Sequence, residues 1–349
     1  MTGTGKPTAR MFVLTMPGLA LLAARELAAA GGVSVRGSGS DGRSDVLLID
    51  ADRAGRGGLR GLRLAEDVFA EVGRTIRADG DTARSVAGRI WRPERSARAL
   101  SMWAEHRGPL RAAMSFRVVA RVLTETSFLR TDLRRELTRV VARDRPRWRP
   151  ADPADLEVWV AEYAPGRFVC GLRLSDERMR QHGGRPQERR GALRPTVAAA
   201  AVCLAGPPAG LLVDPCCGAG TVLAEAVAAG WRARGLDIDP AAVATARANV
   251  PAAVVGAGDV RAMGLADAAA AACVSNLPFG WQFDVPGDRR EWLREALRDM
   301  ARVTRPGGRV VLLVPEIPVA VVPAGLRQTE RVRLRLLGRA TSLWAYDRR

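Results

Sequence analysis

The chain has 349 residues, and its 54 Lys and Arg outnumber its 37 Asp and Glu, which gives a formal charge of +17 at pH 7. Hydrophobic residues make up 47% and charged residues 26%, a composition typical of a globular protein and not of a disordered one. The positive charge favours a polyanionic partner, although the many Arg, Ala and Gly residues also fit a GC-rich coding bias. The length is enough for two or three domains.

Cysteine and histidine are few and are not spaced as metal ligands. The two histidines are His106 and His182, and none of the five cysteines forms a C-x-x-C pair. We therefore expect no metal, no disulfide framework and reduced thiols in a cytoplasmic protein. Residues 10–30 have the basic flank and apolar centre of a signal peptide, but Arg25 and Glu26 interrupt them. We predict a strand and a helix there, and no run is long enough to span a membrane.

The first 78 residues predict a βαββαβ order, typical of a small ferredoxin-like domain without candidate catalytic residues. The predicted strands are residues 11–15, 33–36, 46–50 and 67–77, and the predicted helices are 19–30 and a short piece near 53–65.

Residues 79–174 predict two helices followed by β-α-β-β, and many arginines lie on the strand 115–123 and the helix 129–143. This basic set predicts contacts with nucleic-acid phosphates, while a solvated helix face paired with Asp132 and Glu136 is the alternative. The candidate RNA-binding residues are Arg117, Arg121, Arg130, Arg134, Arg135, Arg139, Arg147 and Arg149. The polar, arginine-rich residues 175–192 predict a linker.

Residues 211–226, LLVDPCCGAGTVLAEA, predict a strand, a glycine turn and the start of a helix. Glycine lets the backbone approach a ligand closely, and a helix start offers free N–H groups. Taken alone, the pattern also fits a tight turn in any α/β domain.

Three later strands end in polar motifs, namely Asp237-Ile238-Asp239, Gly258-Asp259 and Asn276-Leu277-Pro278-Phe279. Because parallel strands end at one edge of a doubly wound sheet, we expect the motifs to meet there, with the first Asp placed to bind ribose hydroxyls. A helix over 288–303, a strand over 309–314 and a final pair over 331–337 and 341–347 complete the predicted α/β domain.

The combination of DPCCGAGTVLAEA with NLPFG resembles the class I S-adenosylmethionine (SAM) methyltransferases, and in detail the THUMP-containing RNA guanine-N2 methyltransferases. The resemblance implies a Rossmann-like domain with a seven-stranded, mostly parallel sheet over 193–349. It also implies that a ferredoxin-like domain (1–78), a THUMP RNA-binding domain (79–174) and a basic linker (175–192) precede that domain.

The same resemblance implies a SAM site in which Asp214 takes the methionine ammonium, Asp237 the ribose hydroxyls and Asp259 the adenine amino group. Ile238 would pack on the adenine. The full set of implied cofactor residues is Thr196, Asp214, Cys216, Cys217, Gly218, Gly220, Thr221, Asp237, Ile238, Asp259, Val260 and Asn276.

The segment Asn276-Leu277-Pro278-Phe279 is implied to be catalytic. The Asn276 side-chain oxygen and the Leu277 carbonyl would accept the two N–H groups of an exocyclic amine, and Phe279 would stack on a flipped base. Thiol chemistry at Cys216 or Cys217 is the rival, but the thiol of cytosine-C5 enzymes follows the fourth strand.

The motif is most similar to enzymes that make N2-methylguanosine at the sixth nucleotide of tRNA. We therefore expect a monomer that binds tRNA, contacts no membrane and methylates the guanosine N2 amine in the acceptor stem. The alternatives are a 23S rRNA guanine-N2 methyltransferase and a non-catalytic RNA-binding protein with a degenerate methyltransferase fold.

Overall fold

A computed structural model describes residues 8–125, 127–182, 187, 189, 192–278, 287–336 and 338–349, apart from the side chain of Glu177. The chain divides into two compact units, Met1–Arg180 and Gln181–Arg349. In the part of the chain that the structure describes, no helix has the length and apolar character needed to cross a membrane.

The first half of unit 1 has the predicted βαββαβ order. Its elements are β1 (Ala9–Thr15), α1 (Ala20–Ala29), β2 (Val33–Ser40), β3 (Asp45–Ala51), α2 (Arg53–Gly58) and β4 (Asp67–Ile76). The apolar run from Met11 to Leu14 is at most 1% exposed. β1 is therefore a central strand, antiparallel to both β3 and β4.

The second half of unit 1 adds two helices and a β-α-β-β arrangement. Its elements are α3 (Ala83–Ile90), α4 (Pro93–Arg107), β5 (Ser115–Arg121), α5 (Arg130–Asp144), β6 (Arg149–Pro150), β7 (Leu156–Ala164) and β8 (Arg167–Arg173). β7 pairs with β5 in parallel and with β8 in antiparallel orientation. A short helix, α6 (Glu177–Gln181), crosses the boundary between the units.

Both halves of unit 1 contribute to one sheet, whose order in the described residues is β2-β3-β1-β4-β8-β7-β5-β6. β4 joins the halves by pairing with β8 from Phe69↔Arg173 to Ile76↔Arg167. The rings of Phe12 and Phe69 stack at 4.4 Å, and Trp159 lies 5.3 Å from Phe69. The boundary predicted near residue 78 therefore lies inside one compact unit, and the division into two domains stays a prediction.

A buried carboxylate fixes the segment between β5 and α5. Glu162 is fully buried and accepts hydrogen bonds from the N–H groups of Leu123 (2.7 Å), Thr124 (3.0 Å) and Gly166 (2.6 Å). The Thr124 hydroxyl donates a further bond at 2.8 Å. These hydrogen bonds hold Leu123 and Thr124, which follow β5, close to the turn between β7 and β8.

Unit 2 alternates strands and helices. Its elements are α7 (Pro195–Leu204), β9 (Leu211–Asp214), α8 (Thr221–Ala228), β10 (Arg232–Asp237), α9 (Pro240–Asn249), β11 (Val254–Ala257), β12 (Ala270–Asn276), α10 (Arg289–Val303), β13 (Thr304–Val314), β14 (Leu326–Leu336) and β15 (Arg339–Arg348). The final strand pair is longer than predicted. β13 begins at Thr304 and not at the predicted residue 309, and its pairing with β12 is irregular between Thr304 and Arg309.

The described residues of unit 2 form one sheet in the order β11-β10-β9-β12-β13-β15-β14. The five strands from β9 to β13 are parallel to one another, and β15 is antiparallel to both β13 and β14. β9 and β12 lie side by side although they are distant in sequence. The strand order therefore reverses between them, and ligands of open α/β sheets bind at such a point, beyond the carboxyl ends of the strands.

Candidate active site and basic groove

The carboxyl ends of the parallel strands of unit 2 line a cavity of about 350 Å³. Ten predicted cofactor residues line it: Asp214, Cys216, Cys217, Gly218, Thr221, Asp237, Ile238, Asp259, Val260 and Asn276. Leu277 and Pro278 of the predicted catalytic segment also line it, and Phe279 lies outside the described residues. Thr196 does not line the cavity and is buried within α7.

The glycine turn between β9 and α8 is tied to the end of β10. The Cys217 N–H donates to the Leu236 carbonyl at 2.9 Å, and the Gly218 N–H donates to Asp237 Oδ2 at 2.8 Å. Gly220 has a φ of +82° and caps α8, and it does not line the cavity. A Cβ there would lie 3.1 Å from Val250 Cγ2, so this glycine serves the packing of the turn against α9.

Asp214 is a buried carboxyl group at the end of β9. It accepts hydrogen bonds from the Ser275 hydroxyl at 2.7 Å and from the Cys216 N–H at 3.2 Å. Burial raises the pKa of Asp214 to about 7, against the lowering effect of both hydrogen bonds. A cation in the cavity would therefore favour the ionised form of this carboxyl group.

Asp237 and Ile238 present a polar and an apolar contact side by side. The Asp237 carboxylate is oriented by the N–H groups of Gly218 and Asp239, at 2.8 and 3.0 Å, and its other lone pairs can accept hydroxyl groups. Ile238 is 73% exposed although it is a large aliphatic side chain. Next to them, Asp239 caps α9 and pairs with Arg189 at 2.6 Å.

Asp259 already has a strong partner in its own turn. Arg261 holds both carboxylate oxygens, with Nε 3.1 Å from Oδ1 and Nη2 2.7 Å from Oδ2. Hydrogen bonding to Arg261 lowers the pKa of Asp259. The predicted contact of Asp259 with a ligand amino group must therefore use the lone pairs that this bidentate pair leaves over.

Asn276 ends β12 between β9 and β13. Its Oδ1 atom is buried and has no hydrogen-bond partner among the residues that the structure describes. Nearly all buried polar groups in proteins are paired, and leaving one unpaired costs about 1–3 kcal/mol. This carbonyl is therefore available to a donor that enters the cavity.

The two cysteines of the glycine turn are poor nucleophiles. Burial, together with the nearby Asp214, raises the pKa of the Cys216 and Cys217 thiols well above their usual range. A neutral thiol is neither a strong nucleophile nor a metal ligand. No group of three His, Cys, Asp or Glu side chains suited to a metal ion occurs in the described parts of the chain.

Residues 182–338 match the family model described as RMKL-like, methyltransferase domain (UPF0020). Unit 2 carries a methyltransferase domain. A search of curated proteins gives no match.

Two solved structures resemble the whole chain. TrmN from Thermus thermophilus has a TM-score of 0.75 at 23% identity, and the alignment covers 97% of this chain and 99% of that one. A protein described as a possible methylase from Clostridium difficile 630 has a TM-score of 0.67 at 14% identity, covering 98% and 99%. At these identities the similarity is one of fold, and it confirms the predicted α/β methyltransferase fold.

Further residues line the cavity of the methyltransferase domain although we did not predict them, among them Arg189, Leu193, Arg261 and Trp292. Trp292 lies on α10 and is 7% exposed. The helix over 288–303 was predicted, but the contact of Trp292 with the strand ends depends on tertiary packing. Arg261 follows Asp259 by two residues, and this spacing is the only sequence signal for their ion pair.

Unit 1 contains a groove of about 1120 Å³ between β5 and α5. Six of the eight predicted RNA-binding residues line it: Arg117, Arg121, Arg130, Arg134, Arg135 and Arg139. Arg147 and Arg149 are exposed but lie outside the groove. One surface therefore gathers most of the predicted set.

The groove arginines differ in how far their charge is compensated. On α5, Arg135 pairs with Asp132 at 2.8 Å and Arg139 with Glu136 at 2.5 Å. On β5, Arg117 pairs with Asp152 and Glu157, and Arg121 pairs with Asp41 and lies 4.6 Å from the centre of the Trp159 ring. Arg130 and Arg134 have no ion pair within the described residues, so their charge is uncompensated there.

Proposed function

We propose that this chain is a SAM-dependent RNA methyltransferase that modifies the exocyclic N2 amine of a guanosine in tRNA, at position six of the acceptor stem. The observation that carries the proposal is the buried Oδ1 atom of Asn276, which has no hydrogen-bond partner among the described residues and lies at the cavity of a methyltransferase domain. An amine has the N–H donor that this oxygen lacks.

The residues of the cavity fit SAM. Asp214 would take the methionine ammonium, the oriented Asp237 carboxylate would accept the ribose hydroxyls, and Ile238 would cover the adenine. The turn at Gly218 leaves open space, because a Cβ built there meets no atom within 4 Å. When bound, SAM supplies an electrophilic methyl group. The carboxylates of the cavity are hydrogen-bond acceptors, and they suit the ammonium and hydroxyl donors of SAM.

The catalytic segment would act by orientation. The lone pair of an exocyclic guanine amine is conjugated with the ring and is a poor nucleophile. The Asn276 side-chain oxygen and the Leu277 backbone carbonyl would accept both N–H bonds and aim that lone pair at the methyl group. Phe279 would stack on the flipped base. The protonated thiols of the glycine turn take no part in this reaction.

Unit 1 would recognise the RNA substrate. A pocket for one flipped base reads too few groups to select a single nucleotide among many. We propose that residues 79–174 form a THUMP domain whose basic groove holds tRNA, preceded by a ferredoxin-like domain over 1–78. The uncompensated charges of Arg130 and Arg134 support this role. We further propose that the protein acts as a cytoplasmic monomer.

Nucleoside mass spectrometry of RNA from cells that lack the gene tests the proposal. We expect N2-methylguanosine to fall in the tRNA fraction and to return with the wild-type gene but not with Asn276→Ala. Loss of the nucleoside from ribosomal RNA alone would support the 23S rRNA alternative. Unchanged nucleosides in both fractions would support a non-catalytic RNA-binding protein.

A further inference from the structure

A row of arginines lies along β14, the edge strand of the described sheet in unit 2. Arg331, Arg333 and Arg335 are exposed, and the intervening Val332 and Leu334 are buried. Because side chains alternate along a strand, the three arginines share one face at intervals of about 6.7 Å. Among the described strands, β14 pairs only with β15, so the row borders solvent. We call these three residues the β14 arginine row.

The row borders a groove of about 810 Å³ that also contains aromatic and acidic side chains. Arg331 lies over the Trp344 ring at 4.0 Å from its centre, and its Nε donates to the Ser342 hydroxyl at 3.1 Å. Arg333 lines the groove and has no ion pair within the described residues, and Glu316 is the acidic lining residue. Positive charge therefore exceeds negative charge along this surface.

The strand register places Val332 level with Asn276 on one face of the sheet, and the arginines of the row flank that position on the opposite face. Asn276 pairs with Leu313 of β13, which pairs with Leu343 of β15, which pairs with Val332 between two of the arginines. Three strand spacings separate Asn276 from Val332 by about 14 Å. β14 runs parallel to β12. Arg333 and Arg335 therefore lie toward the carboxyl ends of the strands, where β12 ends at Asn276.

We propose that the β14 arginine row binds backbone phosphates of the substrate RNA a few nucleotides from the methylated guanosine. This inference rests on the proposed function. Arginines favour phosphate oxygens because their guanidinium groups form bidentate hydrogen bonds. Phosphate contacts fix the register of a nucleic acid without reading its sequence. The row would thus hold the strand while the target base occupies the cavity.

A pair of matched double variants tests the row. Arg333→Gln with Arg335→Gln removes two charges and leaves the Arg331–Trp344 contact intact. The control is Arg232→Gln with Arg305→Gln. It removes two exposed arginines from the amino ends of β10 and β13, at the strand ends opposite the cavity. Both full-length variants are titrated with an unmodified tRNA transcript at several salt concentrations, and SAM affinity and kcat/KM for tRNA are measured in parallel.

We expect the slope of log affinity against log salt to fall by about two in the row variant and to stay at the wild-type value in the control. We expect kcat/KM for tRNA to fall only in the row variant, and SAM affinity to stay unchanged in both. Equal slopes and equal kcat/KM in both variants, with wild-type tRNA methylation intact, would overturn this inference alone.

Two other results are informative. If the row variant self-associates while its RNA affinity stays unchanged, the arginines protect an edge strand from pairing, and the inference is wrong. If the wild-type protein binds no RNA at all, the proposed function fails together with the inference.

Discussion

Asn276→Ala should separate activity from stability. The substitution removes the acceptor that we assign to the target amine, and the loss of one preorganised group of this kind typically costs about 10²–10³ in kcat. SAM affinity should stay near the wild-type value because Asp214, Asp237 and Ile238 are unchanged. The defect should persist at saturating tRNA, since the missing contact orients the reacting amine.

The expected effect on stability follows from the unpaired state of Oδ1. Oδ1 is buried and has no partner in the described parts of the chain, so its removal recovers about 1–3 kcal/mol, which offsets the packing lost on truncation to alanine. We expect the free energy of unfolding of Asn276→Ala to be equal to that of the wild type or higher. The neighbouring Ser275→Ala is the matched control, because it removes a donor to the buried Asp214. Ser275→Ala should lose about 1–3 kcal/mol.

Urea unfolding, calorimetric titration with SAM and single-turnover methylation of tRNA measure the three quantities on the same preparations. An Asn276→Ala protein that unfolds as readily as Ser275→Ala would show that Asn276 is a structural residue. Turnover near the wild-type rate would refute the proposed role in catalysis.

Three further predictions concern the cofactor and the groove. Asp237→Ala should weaken SAM binding strongly in calorimetry, whereas a chelator should leave binding unchanged; binding that a chelator abolishes would contradict the site. Because the pKa of Asp214 is raised to about 7, SAM affinity should increase with pH up to about 7 and then level, with proton uptake by the buffer below pH 7. The raised pKa also means that the contribution of Asp214 to folded-state stability decreases as the pH rises from about 4 to 7. Asp214→Asn should remove this contribution and abolish the pH dependence of SAM affinity; a wild-type pH profile in this variant would refute the assignment. Arg130→Gln with Arg134→Gln should reduce the salt dependence of tRNA binding more than Arg135→Gln with Arg139→Gln, which removes the two ion-paired arginines of α5. Equal effects would show that the groove acts only through its total charge.

The sequence predicts the cavity well because its residues follow strand ends. Once the glycine turn and the aspartate of β10 are recognised, parallel topology brings their side chains to one edge without any knowledge of side-chain packing. The βαββαβ order of the first 78 residues is likewise local information, carried by apolar runs and turns.

Contacts between distant segments are not predictable in this way. β4 and β8 are about a hundred residues apart in the chain, and nothing in either strand shows that they pair. The pairing of Asp259 with Arg261 depends on side-chain conformation, and the approach of Trp292 to the cavity depends on how α10 packs. That the Asn276 oxygen has no partner among the described residues is also visible only once its neighbours are in place.

The central claim is tested most directly with purified protein, methyl-labelled SAM and an unmodified tRNA transcript, by digestion and mass spectrometry of the labelled fragments. The account predicts one N2-methylguanosine, located at position six of the acceptor stem and absent with Asn276→Ala. A labelled adenosine or cytidine, or label only when ribosomal RNA replaces tRNA, would contradict it.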